Sequence, residues 1–129
     1  MELRNLGTSG LRVSAVGLGC NNLGGRLDAS SSRIVVQAAL ANGITLFDTA
    51  DHYPLTSFGK SEELLGDALG RARADVVIAT KFGLPMDAEG KKQGASRRYI
   101  MAAVEASLRR LNDDARGRRI QPSAEIVAT

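Results

Sequence analysis

Apolar positions along the chain change period several times, and each change marks an element. Leu3, Leu6, Leu11 and Val13 alternate with polar residues around the turn-forming "GTSG" at 7–10, which predicts a small β-hairpin over residues 1–13. The short run "SAVGLG" at 14–19 reads as a buried strand. From residue 28 the period lengthens. "DASSS" at 28–32 supplies helix-capping residues, and Ile34, Val35, Ala38, Ala39 and Ala41 recur at helical spacing until Asn42-Gly43 ends the run. "ITLFD" at 44–48 is a second strand. Residues 62–71, "EELLGDALGR", form a helix with Ser61 as cap and acids in the first turn, facing the positive end of its dipole. "DVVIATK" at 75–81 is a β-branched strand without polar alternation, which predicts cover on both faces. A loop rich in Gly and Lys spans 82–95. Ser96 then caps a helix in which Ile100, Val104, Leu108 and Leu111 repeat every three or four residues.

Hairpin followed by three β-α units is the order of an α/β protein with a parallel sheet and right-handed crossovers. Two architectures fit: an open doubly wound sheet and the front of a (β/α)8 barrel. The charged residues favour the barrel, where chemistry gathers at the C-terminal ends of strands. Asp48 and Lys81 each close a predicted strand, and the strands are consecutive, so a carboxylate and an ammonium are expected side by side at one mouth. Tyr53 lies in the loop leaving that same rim.

Composition adds bounds rather than a function. With 129 residues, 43% of them hydrophobic and 24% charged, the chain has the size of one globular domain. There is no run of 18 apolar residues and no secretory leader pattern, and the single Cys20 forms no internal disulfide, so a cytoplasmic location is expected. The net charge of +3 is uneven. Arg109, Arg110, Arg116, Arg118 and Arg119 crowd near the C-terminus without aromatic residues to stack on bases, which reads as a solvated helix end and tail, with no nucleic-acid or membrane partner.

The stretches "LGTSGLRVSAVGLG", "GITLFDTADHY", "GKSEELLG" and "VVIATKFG", continued by "ASRRYIMAAVEASLRRL", together resemble the aldo/keto reductases, in their larger bacterial and potassium-channel β-subunit-like branch. The resemblance covers residues 1–111 and leaves 112–129 as an irregular, non-family tail in which no strand is expected. It implies a (β/α)8 barrel of the TIM type with an N-terminal hairpin closing its bottom, of which this chain holds the first three units. It also implies NADPH-dependent reduction of small aldehydes or ketones. By the same resemblance Asp48, Tyr53 and Lys81 take three of four catalytic positions, with Tyr53 as proton donor, and Cys20, Asn21 and Asp48 lie against the cofactor. The fourth position, a histidine after a strand following "SLRRL", has no counterpart, because His52 is the one histidine of the chain. No metal is implied. The chemistry is coherent: a phenol is a weak acid, with a pKa of about 10, and a nearby ammonium favours its ionised form. A carboxylate that holds the ammonium completes a proton-delivery device.

Other readings are weaker. "GLGCNNLG" at 17–24 follows a strand and precedes a helix, but Asn22 breaks the dinucleotide fingerprint G-x-G-x-x-G. Cys20 reads as a small core residue rather than a nucleophile, His52 as a loop residue beside the tyrosine, and Lys91-Lys92 as solvated. Two alternatives to a working reductase are a truncated or frameshifted half-barrel without independent activity, whose third strand would be an open edge, and a binding fragment.

Overall fold

The computed structural model describes residues 1–112 in full and the backbone of 126–128. β1 (Leu3–Asn5) pairs antiparallel with β2 (Arg12–Ser14), as the alternation predicts. This hairpin is fastened below the main sheet. Ser14 N donates to Thr45 Oγ1 and Thr45 N donates to Ser14 Oγ, both at 2.9 Å, just ahead of the strand that starts at Leu46. The hairpin therefore sits at the end of the sheet opposite to the strands' C-terminal rim.

The main sheet is parallel: β3 (Gly17–Gly19), β4 (Leu46–Asp48), β5 (Val77–Phe82) and β6 (Ile126–Ala128). They lie in the order β3-β4-β5-β6, each new strand joining the same side of the last. With right-handed crossovers, that order winds every connecting helix onto one face. A doubly wound sheet reverses its strand order and covers both faces. The described sheet does not reverse, so it is a segment of a barrel-type wall.

Three α-helices among the described residues make the covering layer. α1 (Ala29–Ala41) starts at Asp28, whose side chain accepts a hydrogen bond from Ser31 N, and ends at Asn42, with Gly43 at φ +77°. It turns Ser32, Val36 and Ala39 inward and leaves Ile34 69% exposed, so the expected stripe is rotated away from Ile34. α2 (Lys60–Leu69) begins two residues earlier than the acids suggested. Gly59, at φ +82°, is its N-cap, and Ser61 lies inside the helix with its side chain buried. A 3-10 turn over Gly70–Asp75 leads into β5. α3 (Arg97–Arg110) has the predicted Ser96 cap, which accepts from Tyr99 N. It buries the small Ala103 and Ser107, while Ile100, Val104 and Leu108 are only half-buried.

The core lies between helices and sheet. Phe47 and Ile78 from the strands meet Val36, Ala39, Leu65, Ala68, Leu69 and Leu111. Helices α2 and α3 approach so closely that a Cβ on Gly66 would lie 2.7 Å from the Leu111 carbonyl carbon. Glu62 is fully buried between them; it takes Arg110 Nε at 2.6 Å and Thr80 Oγ1 at 2.6 Å.

Two expectations need correction. β5 alternates buried Ile78, Thr80 and Phe82 with half-exposed Val77, Ala79 and Lys81, because helices cover only one face of the described sheet. The absence of a strand after 111 also fails: Ile126–Ala128 pair with Thr80–Phe82, so among the described residues β5 is flanked on both sides. The expected irregularity of 113–125, and Arg116, Arg118 and Arg119 with it, lie outside the described residues.

Candidate active site

The register of β4 on β5 decides the site. Asp48 pairs with Ala79, and Lys81, two residues further along β5, emerges on the same face. The ladder continues past the end of β4: Thr49 N donates to Ala79 O at 2.8 Å and Asp51 N to Lys81 O at 3.0 Å. These bonds keep the departing loop aligned with the strand, so the Lys81 side chain reaches back to the carboxylate. Lys81 Nζ donates to Asp48 Oδ1 at 2.6 Å and to Thr49 O at 2.8 Å. The side chains are 23% and 50% exposed respectively, so the pair is partly solvated. β5 runs one residue beyond Lys81, to Phe82.

Tyr53 completes the group. Lys81 Nζ stands 5.5 Å from the centroid of its ring, within cation-π range. The loop carrying it is fixed from both ends, because Tyr53 N donates to Ala50 O and Ser61 N donates to Tyr53 O. Ser61 also anchors α2 to the rim: its hydroxyl donates to Cys20 O at 2.7 Å and meets Thr49 Oγ1 at 2.9 Å. Sequence reasoning took Ser61 for a cap, whereas its place inside the helix makes it a tie between the loops after β3 and β4. Acid, cation and phenol are thus together at the rim, as expected.

The loop after β3 presents two different neighbours. Cys20 is 0% exposed and its N–H donates to Asp48 O at 2.8 Å. Burial above all, then the negative charge of Asp48, pushes its thiol up to about 12. It is therefore a protonated core residue rather than a nucleophile. Asn21 is exposed, and Gly19 leaves open space where a side chain would stand.

Asp51 and His52, beside the tyrosine, carried no role in the sequence reading. Asp51 is fully buried, and its carboxyl is held above the ordinary range by burial and, next, by the charge of Glu62. His52 Nδ1 lies 3.4 Å from Asp51 Oδ1 without the alignment of a hydrogen bond, and neither atom has another hydrogen-bond partner among the described residues. The His52 ring stands edge-on to Tyr53, with centroids 4.8 Å apart. No group of three or more His, Cys, Asp or Glu suited to a metal occurs among the described residues. No described helix is long and apolar enough to cross a membrane.

A profile described as "Aldo/keto reductase family" matches residues 15–117. An uncharacterized oxidoreductase of Bacillus subtilis (strain 168), YqkF, is 42% identical over 116 residues, covering 88% of this chain and 36% of that protein. A probable voltage-gated potassium channel subunit beta of Arabidopsis thaliana is 36% identical over 118 residues, covering 88% and 35%. Among solved structures, the holo form of the aldo-keto reductase AKR11C1 from Bacillus halodurans superposes with a TM-score of 0.75 at 41% identity, over 87% of this chain and 37% of that one. The chain thus spans little more than a third of the length of the proteins it matches.

Proposed function

Because the chain belongs to the aldo/keto reductase family, we propose that it carries the proton-delivery half of an NADPH-dependent oxidoreductase that converts aldehydes or ketones to alcohols. The observation that carries this reading is the convergence of Asp48, Lys81 and Tyr53 at one rim, with Lys81 Nζ bonded to Asp48 and facing the Tyr53 ring.

The C-terminal rim of the sheet suits the edge of a flat nicotinamide ring. Gly19 contributes no side chain beside Asp48, and exposed Asn21 and half-exposed Asp48 supply polar groups at its edge, with the Cys20 backbone behind them. When bound, the reduced nicotinamide supplies a hydride to the carbonyl carbon. The chain's own residues deal with the oxygen. Asp48 fixes Lys81 with its ammonium facing the Tyr53 ring, and Tyr53 donates its proton to the developing alkoxide. Partial exclusion of water from Lys81 strengthens its influence.

The test is oxidation of NADPH in the presence of a panel of aldehydes and ketones, with Tyr53→Phe as control. Aldehyde-dependent oxidation that the substitution abolishes supports the reading; oxidation indifferent to Tyr53 overturns it.

A second reading, a half-barrel without turnover of its own, has a specific observation behind it. His52 is the one histidine, and it is placed on the Tyr53 ring and beside Asp51 rather than at the end of a further strand. A group to orient the substrate oxygen is then missing from the described residues, and loss of such a donor slows comparable reactions about 10²- to 10³-fold. A folded chain that leaves NADPH unchanged with every substrate favours this reading.

A further inference from the structure

Backbone bonds fix where Tyr53 sits but not how its ring turns. Its N–H and carbonyl are tied to Ala50 and Ser61, and the side chain still has its staggered rotamers to choose from. A proton donor has to present its hydroxyl within hydrogen-bonding reach of the reacting oxygen, so something must hold the ring. Two side chains meet it among the described residues. Lys81 Nζ stands 5.5 Å from the ring centroid, and the His52 imidazole stands edge-on, with centroids 4.8 Å apart and an interplanar angle of 63°.

His52 is itself placed by Asp51. The two side chains are 13% and 2% exposed, and Nδ1 faces Oδ1 at 3.4 Å. Both atoms are buried and lack any other partner among the described residues, so they satisfy each other or stay unsatisfied at a cost. A small turn of the imidazole brings an Nδ1–H onto that oxygen. Two further charges act on the carboxyl: Glu62 of α2, which repels it, and Arg110 of α3, which is already bonded to Glu62. His52 is then the donor that remains for Oδ1. Such a bond also dictates which imidazole nitrogen carries the proton.

We propose that His52 is a positioning residue for Tyr53: the Asp51 carboxylate holds its Nδ1–H, and its ring braces the Tyr53 ring against Lys81. The inference rests on the reading of Tyr53 as the proton donor, and it gives a use to two side chains which that reading leaves idle. An imidazole free in water prefers the Nε2–H form. The Nδ1–H form is therefore a signature that packing of the ring alone does not produce.

Because His52 is the one histidine, nitrogen NMR of the 129-residue chain, on the alkaline side of the imidazole titration, reads its tautomer directly. The expected result is a protonated Nδ1, together with nuclear Overhauser contacts between the Tyr53 ring and the Lys81 side chain. Asp51→Asn, whose amide can donate to Nδ1, should turn His52 to the Nε2–H form and weaken the Tyr53–Lys81 contacts while the rest of the spectrum stays in place. His52→Ala should weaken the same contacts. In a preparation that turns over, it should also lower kcat at least about tenfold with KM for the carbonyl within about twofold of wild type. An Nε2–H form in the wild-type chain overturns the proposal, even if Asp51→Asn does not fold. Tyr53–Lys81 contacts that His52→Ala leaves unchanged overturn it as well. A wild-type chain with the Nδ1–H form and these contacts but no carbonyl-dependent oxidation supports the brace and removes the proposed reduction instead.

Discussion

At the scale of single residues, three groups at one rim and one buried thiol give the sharpest expectations. Tyr53→Phe removes a hydroxyl and leaves the ring beside Lys81 and His52, so folding is expected to survive. In any preparation that turns over, kcat should fall at least about 10²-fold, the scale of lost general-acid catalysis. Steady-state rates with circular dichroism on the same sample check this, and an unchanged kcat refutes the assignment. Cys20 has a sign that can be worked through. Its folded pKa of about 12 exceeds the ordinary 9.0, so the unfolded chain ionises first as pH rises. Stability from this group is complete below pH 9 and drains away towards pH 12, by at most about 4 kcal/mol given about 1.36 kcal/mol for each pH unit. Urea denaturation at pH 8 and pH 10.5 should show a steeper loss in wild type than in Cys20→Ala. Equal losses would mean that the thiol is accessible to water.

Elements are held by contacts that no local pattern announces. Glu62 looks in the sequence like an ordinary acid in the first turn of a helix, yet it is fully buried and receives Arg110 and Thr80. Glu62→Ala strands Arg110 between α2 and α3 and should cost about 3 kcal/mol, the lower end for a broken buried pair because Arg110 keeps some solvent. Gly66→Ala, a favourable change for an isolated helix, should destabilise by about 1–3 kcal/mol because its methyl group meets the Leu111 backbone. Denaturant midpoints of the two variants check both, and a stabilised Gly66→Ala would show that α3 does not rest where the structure has it. The existence of all three helices was legible from spacing and caps, above all Asp28 and Ser96. Their inward faces were less so. Ile34 is exposed while Ser32 is buried, and α3 turns alanine and serine inward, because the close approach of neighbouring elements selects small residues over the most hydrophobic ones.

For the whole molecule the governing fact is winding in one direction. Strand order β3-β4-β5-β6 puts every described helix on one face and leaves Gly17, Gly19, Leu46, Asp48, Val77, Ala79 and Lys81 on the other. The hydrogen-bond ladder through β4 and β5 lies at the centre of this sheet, whereas β1 is exposed throughout. Hydrogen exchange should follow that division: amides of Val77, Thr49 and Asp51 exchange slowest, and those of the β1–β2 hairpin first. Uniform exchange would contradict a sheet-centred core. Beyond single elements, the pairing of β6 with β5 was not legible, because Ile126–Ala128 is too short to carry a periodic signal and is defined only by its neighbour.

The sequence by itself determined the α/β alternation, because burial demands period two in strands and period 3.6 in helices. It also placed Asp48, Tyr53 and Lys81 close to strand ends, from where the apolar runs stop, although β5 continues one residue past Lys81. Only the tertiary structure decided that they meet. The register Asp48↔Ala79 sets Lys81 on the same face as the acid, and a slip of one residue would have turned it into the helix layer. Burial of Glu62 and Asp51 and the inner place of Ser61 belong to the same class. Each depends on residues tens of positions apart arriving together, which no local pattern encodes.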